Sequence, residues 1–225
     1  TIYDKVTFIE IYEPKHVKET IVFCHGITGC RKGRTTDDNY FQELAMRLMQ
    51  LNYKVILFDY SGHGDSEGND YDVTLSKSTS ELNSILEKFI SRDDVVNFLV
   101  FSYGAAVLAN YLKNNNELKV NKIVMYSPCL FPLESCFLNK NSLFGKDIVK
   151  AYEEGVLLEQ GYAIVGAKNF KFSKKMIDDC KNLNLSFYEQ NNEKILCISG
   201  KNDVILNTKF NDDFYFDYFV FLVLF

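Results

Sequence analysis

Residues 95–106, with the sequence VVNFLVFSYGAA, decide the fold of this chain. The apolar run that ends at Phe101 is rich in Val and Phe and predicts a buried strand. Gly104 and the alanines after it begin an apolar pattern that predicts a helix as far as Leu112. Ser102 lies at the turn between the two elements, so we expect its hydroxyl to stand clear of the sheet.

A strand, a sharp turn, a serine and a helix in this order are typical of the nucleophile elbow, Gly-x-Ser-x-Gly. The first glycine of that motif is replaced here by Val100, which we expect to crowd the turn. The start of the helix also directs backbone N–H groups to the point where an oxyanion would form. An ordinary strand-to-helix turn that contains a serine is the alternative interpretation.

Composition limits the class of protein. The 225 residues fit one domain, residues 1–225, with room for an insertion, and a 47% hydrophobic share supports a sizeable core. The net charge of -5 and the absence of a Lys/Arg cluster argue against a nucleic-acid partner. The six cysteines show no metal-ligand spacing, and Cys24 and Cys197 fall in predicted strands as core thiols. Free thiols with no visible signal peptide predict a cytoplasmic location, although the chain begins at Thr1.

Strands and helices alternate through most of the chain. Apolar runs predict strands at 5–12, 20–24, 54–58, 122–126 and 193–198. Helical spacing of apolar residues predicts helices near 40–51 and 75–90. This alternation predicts an α/β fold with a mostly parallel central sheet flanked by helices. Ser102 then lies at the carboxyl edge of the sheet, where open α/β sheets bind ligands.

The alternation breaks between about residues 129 and 190, and this stretch is rich in aromatic residues. It is too long and too apolar for a bare loop, so we interpret it as an inserted cap over the sheet edge. Residues 176–183 predict one cap helix with Ser173 as its N-cap, and residues 155–165 predict a small hairpin. The aromatic side chains either pack the cap or contact a substrate.

Residues 214–225 are almost wholly apolar but too short to span a bilayer, so no membrane span is expected. Three interpretations stay open: a buried strand that has lost its downstream context, a membrane-surface anchor, or a sequencing error. We favour truncation or a frameshift, with part of the C-terminal region missing. If this segment were exposed, it would promote aggregation.

Several segments together resemble the α/β-hydrolase family, in particular its serine esterases with a cap. Residues 25–29, HGITG, look like the oxyanion loop, and residues 59–68, DYSGHGDSEG, are close to the family's Asp-x-Arg-Gly-His-Gly-x-Ser-x-Gly loop. Ser61 stands where arginine is usual. Residues 195–203, ILCISGKND, look like the late strand and loop that present the triad acid. The combination is most similar to feruloyl/cinnamoyl esterases and the serine aminopeptidase S33-type hydrolases.

The resemblance implies a serine hydrolase that acts on a carboxylic ester. Ser102 would attack the ester carbonyl, and the backbone N–H groups of Tyr103 and Ile27 would hold the oxyanion. Asp203 would orient a histidine that transfers the proton.

The resemblance also carries expectations about the ligand. The substrate would be a small-molecule ester with an apolar or aromatic acyl group, and Gln160 and Tyr162 would supply polar contacts to it. No metal and no organic cofactor are implied, and the oligomeric state is left undetermined.

The triad histidine should follow Asp203, but His16, His25 and His63 all precede Ser102. Only 22 residues follow Asp203, so we expect the chain to stop about where the catalytic loop begins. We expect His25 and His63 to hold their loops and His16 to be solvated.

Three functions therefore stay open. The first is that the chain is an incomplete copy of a serine esterase, which is the one we favour. The second is a catalytically inactive hydrolase fold that binds a ligand or partner under its cap. The third is an acyltransferase or serine peptidase of the same fold.

Overall fold

The computed structural model describes residues 7–115 and 117–200, together with the backbone of 218–222. These residues form strands β1 (Ile9–Tyr12), β2 (Glu19–Cys24), β3 (Tyr53–Phe58), β4 (Val96–Phe101), β5 (Val120–Tyr126), β6 (Tyr162–Val165), β7 (Phe170–Ser173), β8 (Ile195–Gly200) and β9 (Tyr218–Leu222). Their α-helices are α1 (Tyr40–Gln50), α2 (Leu75–Phe89), α3 (Tyr103–Leu112), α4 (Gly145–Glu153), α5 (Val156–Gln160), α6 (Lys174–Cys180) and α7 (Ser186–Gln190).

Seven of these strands form one sheet in the order β1-β3-β2-β4-β5-β8-β9. Every neighbouring pair is parallel except β1 with β3. The mostly parallel sheet predicted from the alternating segments is confirmed. Its parallel strands end at one edge, where Ser102 follows β4.

Helices cover both faces of the sheet. Along β4 the side chains of Val96, Phe98 and Val100 are fully buried in the larger core cluster, which includes residues of α2 and α3. The alternate side chains, Leu99 and Phe101, pack on the opposite face against a smaller cluster that includes a residue of α1. Because a fully buried Val, Leu or Phe contributes about 1.5–3 kcal/mol, this two-sided burial explains why residues 95–101 are apolar at every position except Asn97.

The cap segment, residues 129–190, leaves the sheet after β5 and returns before β8. It contains a π-helical turn (Pro132–Phe137), helices α4 to α7 and the antiparallel hairpin β6–β7. Some of its aromatic side chains pack inside it: the rings of Phe137 and Phe172 lie 4.4 Å apart and both are buried. As predicted, Ser173 caps α6, since its hydroxyl accepts a hydrogen bond from the Met176 N–H.

The hairpin prediction was wrong in its position. Val156–Gln160 form α5, which lies between Gly155 and Gly161, with φ of 78° and 82°. The hairpin follows at residues 162–173 and turns through Gly166, whose φ is 62°. Glycines in the left-handed region end helices as well as make turns, so their spacing alone did not distinguish the two.

Polar contacts attach the cap segment to the sheet domain. Asp179 accepts hydrogen bonds from the N–H (2.6 Å) and hydroxyl (2.7 Å) of Ser76 on α2. Asp70 accepts one from the Lys171 N–H at 2.7 Å. The Lys168 ammonium donates to the carbonyl of Thr28 at 2.5 Å. The hairpin β6–β7 is therefore held next to the loops that follow β2 and β3.

The cysteines lie in the core, and part of the apolar tail forms a strand. All six cysteines are buried, and burial raises the pKa of the Cys24 thiol to about 12, as expected of core thiols. Residues 218–222 form β9, parallel to β8, which agrees with the strand interpretation of the tail. No helix in the described ranges is long and apolar enough to cross a membrane.

Candidate active site

Ser102 occupies a strained backbone conformation between β4 and α3, with φ 47° and ψ -114°. Its N–H donates to the carbonyl of Tyr126 at 3.1 Å, and its carbonyl accepts from the N–H groups of Ala105 and Cys129. A non-glycine residue with positive φ costs of the order of 1–3 kcal/mol and persists only where its surroundings hold it. Here β5 and the residues after it do so. The Ser102 side chain is half-buried.

The close approach at this turn lies at Gly104, not at Val100. Val100 is fully buried and lies opposite Cys24 and Met125 in the sheet, so the expected crowding does not occur there. In contrast, a Cβ atom on Gly104 would lie 2.3 Å from the Cys24 carbonyl oxygen. The second glycine of the motif is thus the one that packing requires.

The loop after β2 runs beside the elbow. A Cβ atom on Gly26 would lie 3.1 Å from Cβ and 3.8 Å from Oγ of Ser102. The loop closes on itself through a Gly29 N–H to Gly26 carbonyl hydrogen bond of 3.0 Å, with Thr28 at φ 62°. The N–H groups of Ile27 and Tyr103 donate to no acceptor in the described ranges. One of these N–H groups therefore belongs to the loop that runs beside Ser102, and the other to the residue that directly follows Ser102.

His25 is buried and both its ring nitrogens are occupied. Nε2 accepts a hydrogen bond from the Tyr60 N–H at 3.1 Å, so Nδ1 carries the proton and donates to the Gly26 carbonyl at 2.8 Å. Burial lowers the pKa of His25 to about 4. As expected, this histidine holds its loop and has no nitrogen free to accept a proton from Ser102.

His63 is also buried, in the Gly-His-Gly turn. Its Nδ1 donates to the Ser61 carbonyl at 3.2 Å, and its Nε2 has no partner in the part of the chain that the structure describes. Burial, together with the His25 ring 5.1 Å away, lowers the pKa of His63 to about 3. The ring packs 5.4 Å from that of Phe170, which joins this turn to the cap segment.

A buried ion-pair network that we did not predict holds the two loops together. Arg31 is 3% exposed. Its guanidinium donates to Asp59 at 2.6 Å and to Asp65 at 2.8 Å, and its backbone N–H donates to Asp59 at 2.5 Å. Glu10 accepts a further bond from the same guanidinium at 3.0 Å. In the sequence Arg31 lies in a polar loop, and no local signal marked it as buried.

Glu81 is a second missed residue. It lies on the buried face of α2 and is 1% exposed; its Oε2 accepts from the Ser61 N–H at 3.0 Å. Its Oε1 has no partner among the described residues, and burial raises the pKa of this carboxyl. The helical spacing of Leu75, Leu82 and Ile85 around it was the signal that could have placed it inside.

A cleft of about 280 Å³ opens beside the oxyanion loop. Its walls come from the loops after β2 and β3 and from the cap hairpin, and include Thr28, Arg34, His63, Lys168 and Phe170. The Lys168 ammonium donates to the carbonyls of both Thr28 and Arg34. No group of three His, Cys, Asp or Glu side chains in the described ranges is placed to hold a metal ion.

The other predicted site residues lie apart from this cleft or outside the described residues. Gln160 is exposed and its amide donates to the Tyr162 carbonyl at 2.9 Å. Tyr162 is half-buried on β6, with the Lys171 ammonium 5.5 Å from its ring centre. Neither lines the cleft. Asp203 lies outside the described residues, three positions after the end of β8.

The sequence profile of the serine aminopeptidase S33 family matches residues 15–154, a stretch that contains both loops, the elbow and the start of the cap segment. This chain belongs to that family. A relative of the S33 chain, protein phosphatase methylesterase 1 from Candida albicans, is 28% identical over 106 residues. The 106 matched residues are 46% of this chain, and they span only 28% of the relative's length.

Solved structures similar to this S33 chain share its fold at low identity. Est1E from Butyrivibrio proteoclasticus, with ferulic acid bound, has a TM-score of 0.67 at 14% identity, covering 98% of this chain and 86% of its own. The α/β-hydrolase domain-containing protein 10 from mouse has a TM-score of 0.68 at 16% identity, and the match covers 97% of this chain and 84% of the mouse chain. An esterase from Exiguobacterium antarcticum gives 0.62 at 18%, with 97% and 87% covered. These likenesses confirm the α/β-hydrolase fold.

Proposed function

We propose that this S33-family chain is a serine hydrolase that cleaves a carboxylic ester through Ser102. The observation that carries the proposal is the strained backbone of Ser102, together with the N–H groups of Ile27 and Tyr103, which donate to no described acceptor. Strain of this kind clusters at active sites, because it fixes a reactive group where an unstrained backbone would not. An ordinary strand-to-helix turn requires neither feature.

Each part of the site has a proposed role. The Ser102 hydroxyl attacks the ester carbonyl, and the N–H groups of Ile27 and Tyr103 hold the oxygen that becomes negative, each contributing about 3 kcal/mol. Asp203 orients the histidine that takes the serine proton and returns it to the leaving alcohol. Water then attacks the acyl group on Ser102 by the reverse sequence of proton transfers and releases the acid.

The general base in this scheme is a histidine that the chain does not contain. The hydrogen bonds of His25 occupy both its nitrogens, and burial keeps His63 neutral with its Nδ1 proton on the Ser61 carbonyl. His25 therefore has no free nitrogen to take the Ser102 proton.

The relatives support an ester as the substrate. One relative is named a methylesterase, one similar structure holds ferulic acid and another is an esterase. We propose a small-molecule ester with an apolar or aromatic acyl group, contacted by Gln160 and Tyr162 of the cap segment.

Chemical rescue by imidazole tests this proposal. The 225-residue chain is incubated with p-nitrophenyl butyrate, with and without imidazole in solution, and p-nitrophenol release is compared with that produced by imidazole alone. We expect imidazole-dependent release and a butyryl group on Ser102 by mass spectrometry, because free imidazole supplies the missing base.

Ser102→Ala should abolish both signals. Ser127→Ala is the matched control, because Ser127 also directly follows a parallel strand, β5, and also has a positive φ, of 42°. Ser102-dependent turnover without imidazole would contradict the proposed base and point to another group in the chain.

A catalytically inactive hydrolase fold that binds a ligand under its cap is the second candidate. The engaged ring nitrogens of His25 favour it, since the histidine of the loop beside Ser102 cannot accept the serine proton. It predicts no Ser102-dependent reaction in either condition. An acyltransferase of the same fold would transfer the acyl group to an added thiol or alcohol, whereas an esterase that uses only water would give the same acid with or without that acceptor. A serine peptidase would cleave an added peptide substrate.

A further inference from the structure

We propose that the cleft beside the loop after β2 is a subsite for a carboxylate at the far end of the substrate's apolar acyl chain, so that the preferred substrates are half-esters of dicarboxylic acids. This inference rests on the proposed role of Ser102. Thr28 and Gly29 line the cleft and directly follow Ile27, so the cleft opens next to the proposed oxyanion hole. A chain of a few methylenes joins a carbonyl at Ser102 to a carboxylate in the cleft.

The charges of the cleft match such a ligand. Its lining contains two cations, Arg34 and Lys168, and no carboxylate. Two N–H bonds of the Lys168 ammonium are used on backbone carbonyls, which hold the ammonium in place and leave a third donor. The nearby carboxylate of Asp38 is engaged within its own loop, where it accepts the Thr35 N–H at 2.6 Å.

Arg34 is a second cation among the residues that line the cleft. Its side chain is exposed, and no described carboxylate lies within ion-pair distance of it. A planar guanidinium with five donors suits a carboxylate, which it binds through two parallel hydrogen bonds. In contrast, the buried Arg31 on the same loop spends its donors on Asp59, Asp65 and Glu10.

The size and the apolar part of the cleft fit a small acid. Its volume of about 280 Å³ is below that of a whole drug-sized ligand site, so it holds one end of a substrate. Phe170 supplies an apolar wall against which methylenes pack, and Thr35 and Thr36 add hydroxyl groups at the rim.

Binding of two matched probes tests the proposal without turnover. Monomethyl glutarate and dimethyl glutarate are titrated by NMR into the full chain carrying Ser102→Ala. We expect the monoester to bind about fivefold more tightly, as for one partly exposed ion pair, and we expect added NaCl to reduce that preference. Adding Arg34→Gln should make the two affinities equal.

The control is Arg92→Gln, because the Arg92 side chain is 88% exposed and is not part of the cleft lining. It should leave the preference unchanged. Equal affinities before any arginine is changed, a preference that survives Arg34→Gln, or a preference that Arg92→Gln also removes would each overturn the proposal. Because the readout is binding to a Ser102→Ala chain, its failure is distinct from a failure of the imidazole-dependent esterase reaction.

Discussion

A Cβ atom on Gly104 would lie 2.3 Å from the Cys24 carbonyl oxygen, well inside van der Waals contact. The first turn of α3 therefore rests directly on the end of β2. Since Ser102 precedes this turn and the oxyanion loop follows this strand, one backbone contact fixes the distance between the two halves of the proposed site. The contact depends on the absence of a side chain at position 104.

Gly104→Ala should therefore destabilise the fold. The added methyl group meets backbone atoms, which cannot rotate away, so we expect the free energy of unfolding in urea to fall by about 3 kcal/mol. Gly200→Ala is the matched control, because a Cβ atom there meets nothing within 4 Å. Equal effects of the two substitutions would show that helix and strand are not packed as described.

The strain at Ser102 predicts that Ser102→Gly is more stable than Ser102→Ala. Alanine keeps the cost of φ 47°, whereas glycine removes about 1–3 kcal/mol of strain and loses about 0.5–1 kcal/mol through its more flexible unfolded state. We expect a net gain of about 1 kcal/mol in urea unfolding. Identical stabilities of the two variants would mean that the elbow is relaxed.

Arg31→Met should be strongly destabilising, because it leaves Asp59 buried without its cation. Breaking a buried ion pair in this way costs about 3–5 kcal/mol. Arg92→Met removes an exposed pair with Glu117 instead, with side chains 88% and 89% exposed, and should cost less than about 1 kcal/mol. Thermal or urea unfolding of the two variants measures the difference, and a similar loss in both would contradict the network.

The two buried histidines make stability depend on pH in a defined direction. Folding lowers the pKa of His25 from 6.5 to about 4 and that of His63 to about 3, chiefly through burial. Below about pH 6.5 the unfolded chain binds protons that the folded chain does not, so the stabilisation is complete above that pH and is lost as the pH falls towards 4. Between pH 7 and pH 5 each histidine should cost about 2 kcal/mol of unfolding free energy.

Urea unfolding at the two pH values measures this loss, and NMR of the ring nitrogens tests its cause. The ring signals of His25 and His63 should keep the neutral pattern with the proton on Nδ1 down to about pH 5. Protonation of either ring near pH 6.5 would contradict its burial.

The sequence determined the elements of this fold and their order. Buried strands, helix periods and the turn at Ser102 are local patterns, because each depends on residues within one or two turns of the chain. The alternation of strands with helices then left few arrangements besides a parallel sheet, and the carboxyl edge followed as the place of Ser102. The motifs at 25–29 and 59–68 could be recognised for the same reason.

Only the tertiary structure decided how those elements meet. Arg31 and Asp59 lie 28 residues apart, and Lys168 reaches Thr28 across 140 residues, so no local pattern signals either contact. The same holds for the place of Val100 in the core, the contact of Gly104 with Cys24 and the burial of Glu81. Packing between distant segments sets which group is buried, which nitrogen of a histidine is used and which cation stays free. These decide what the site can do, since a side chain acts through the neighbours that the fold gives it.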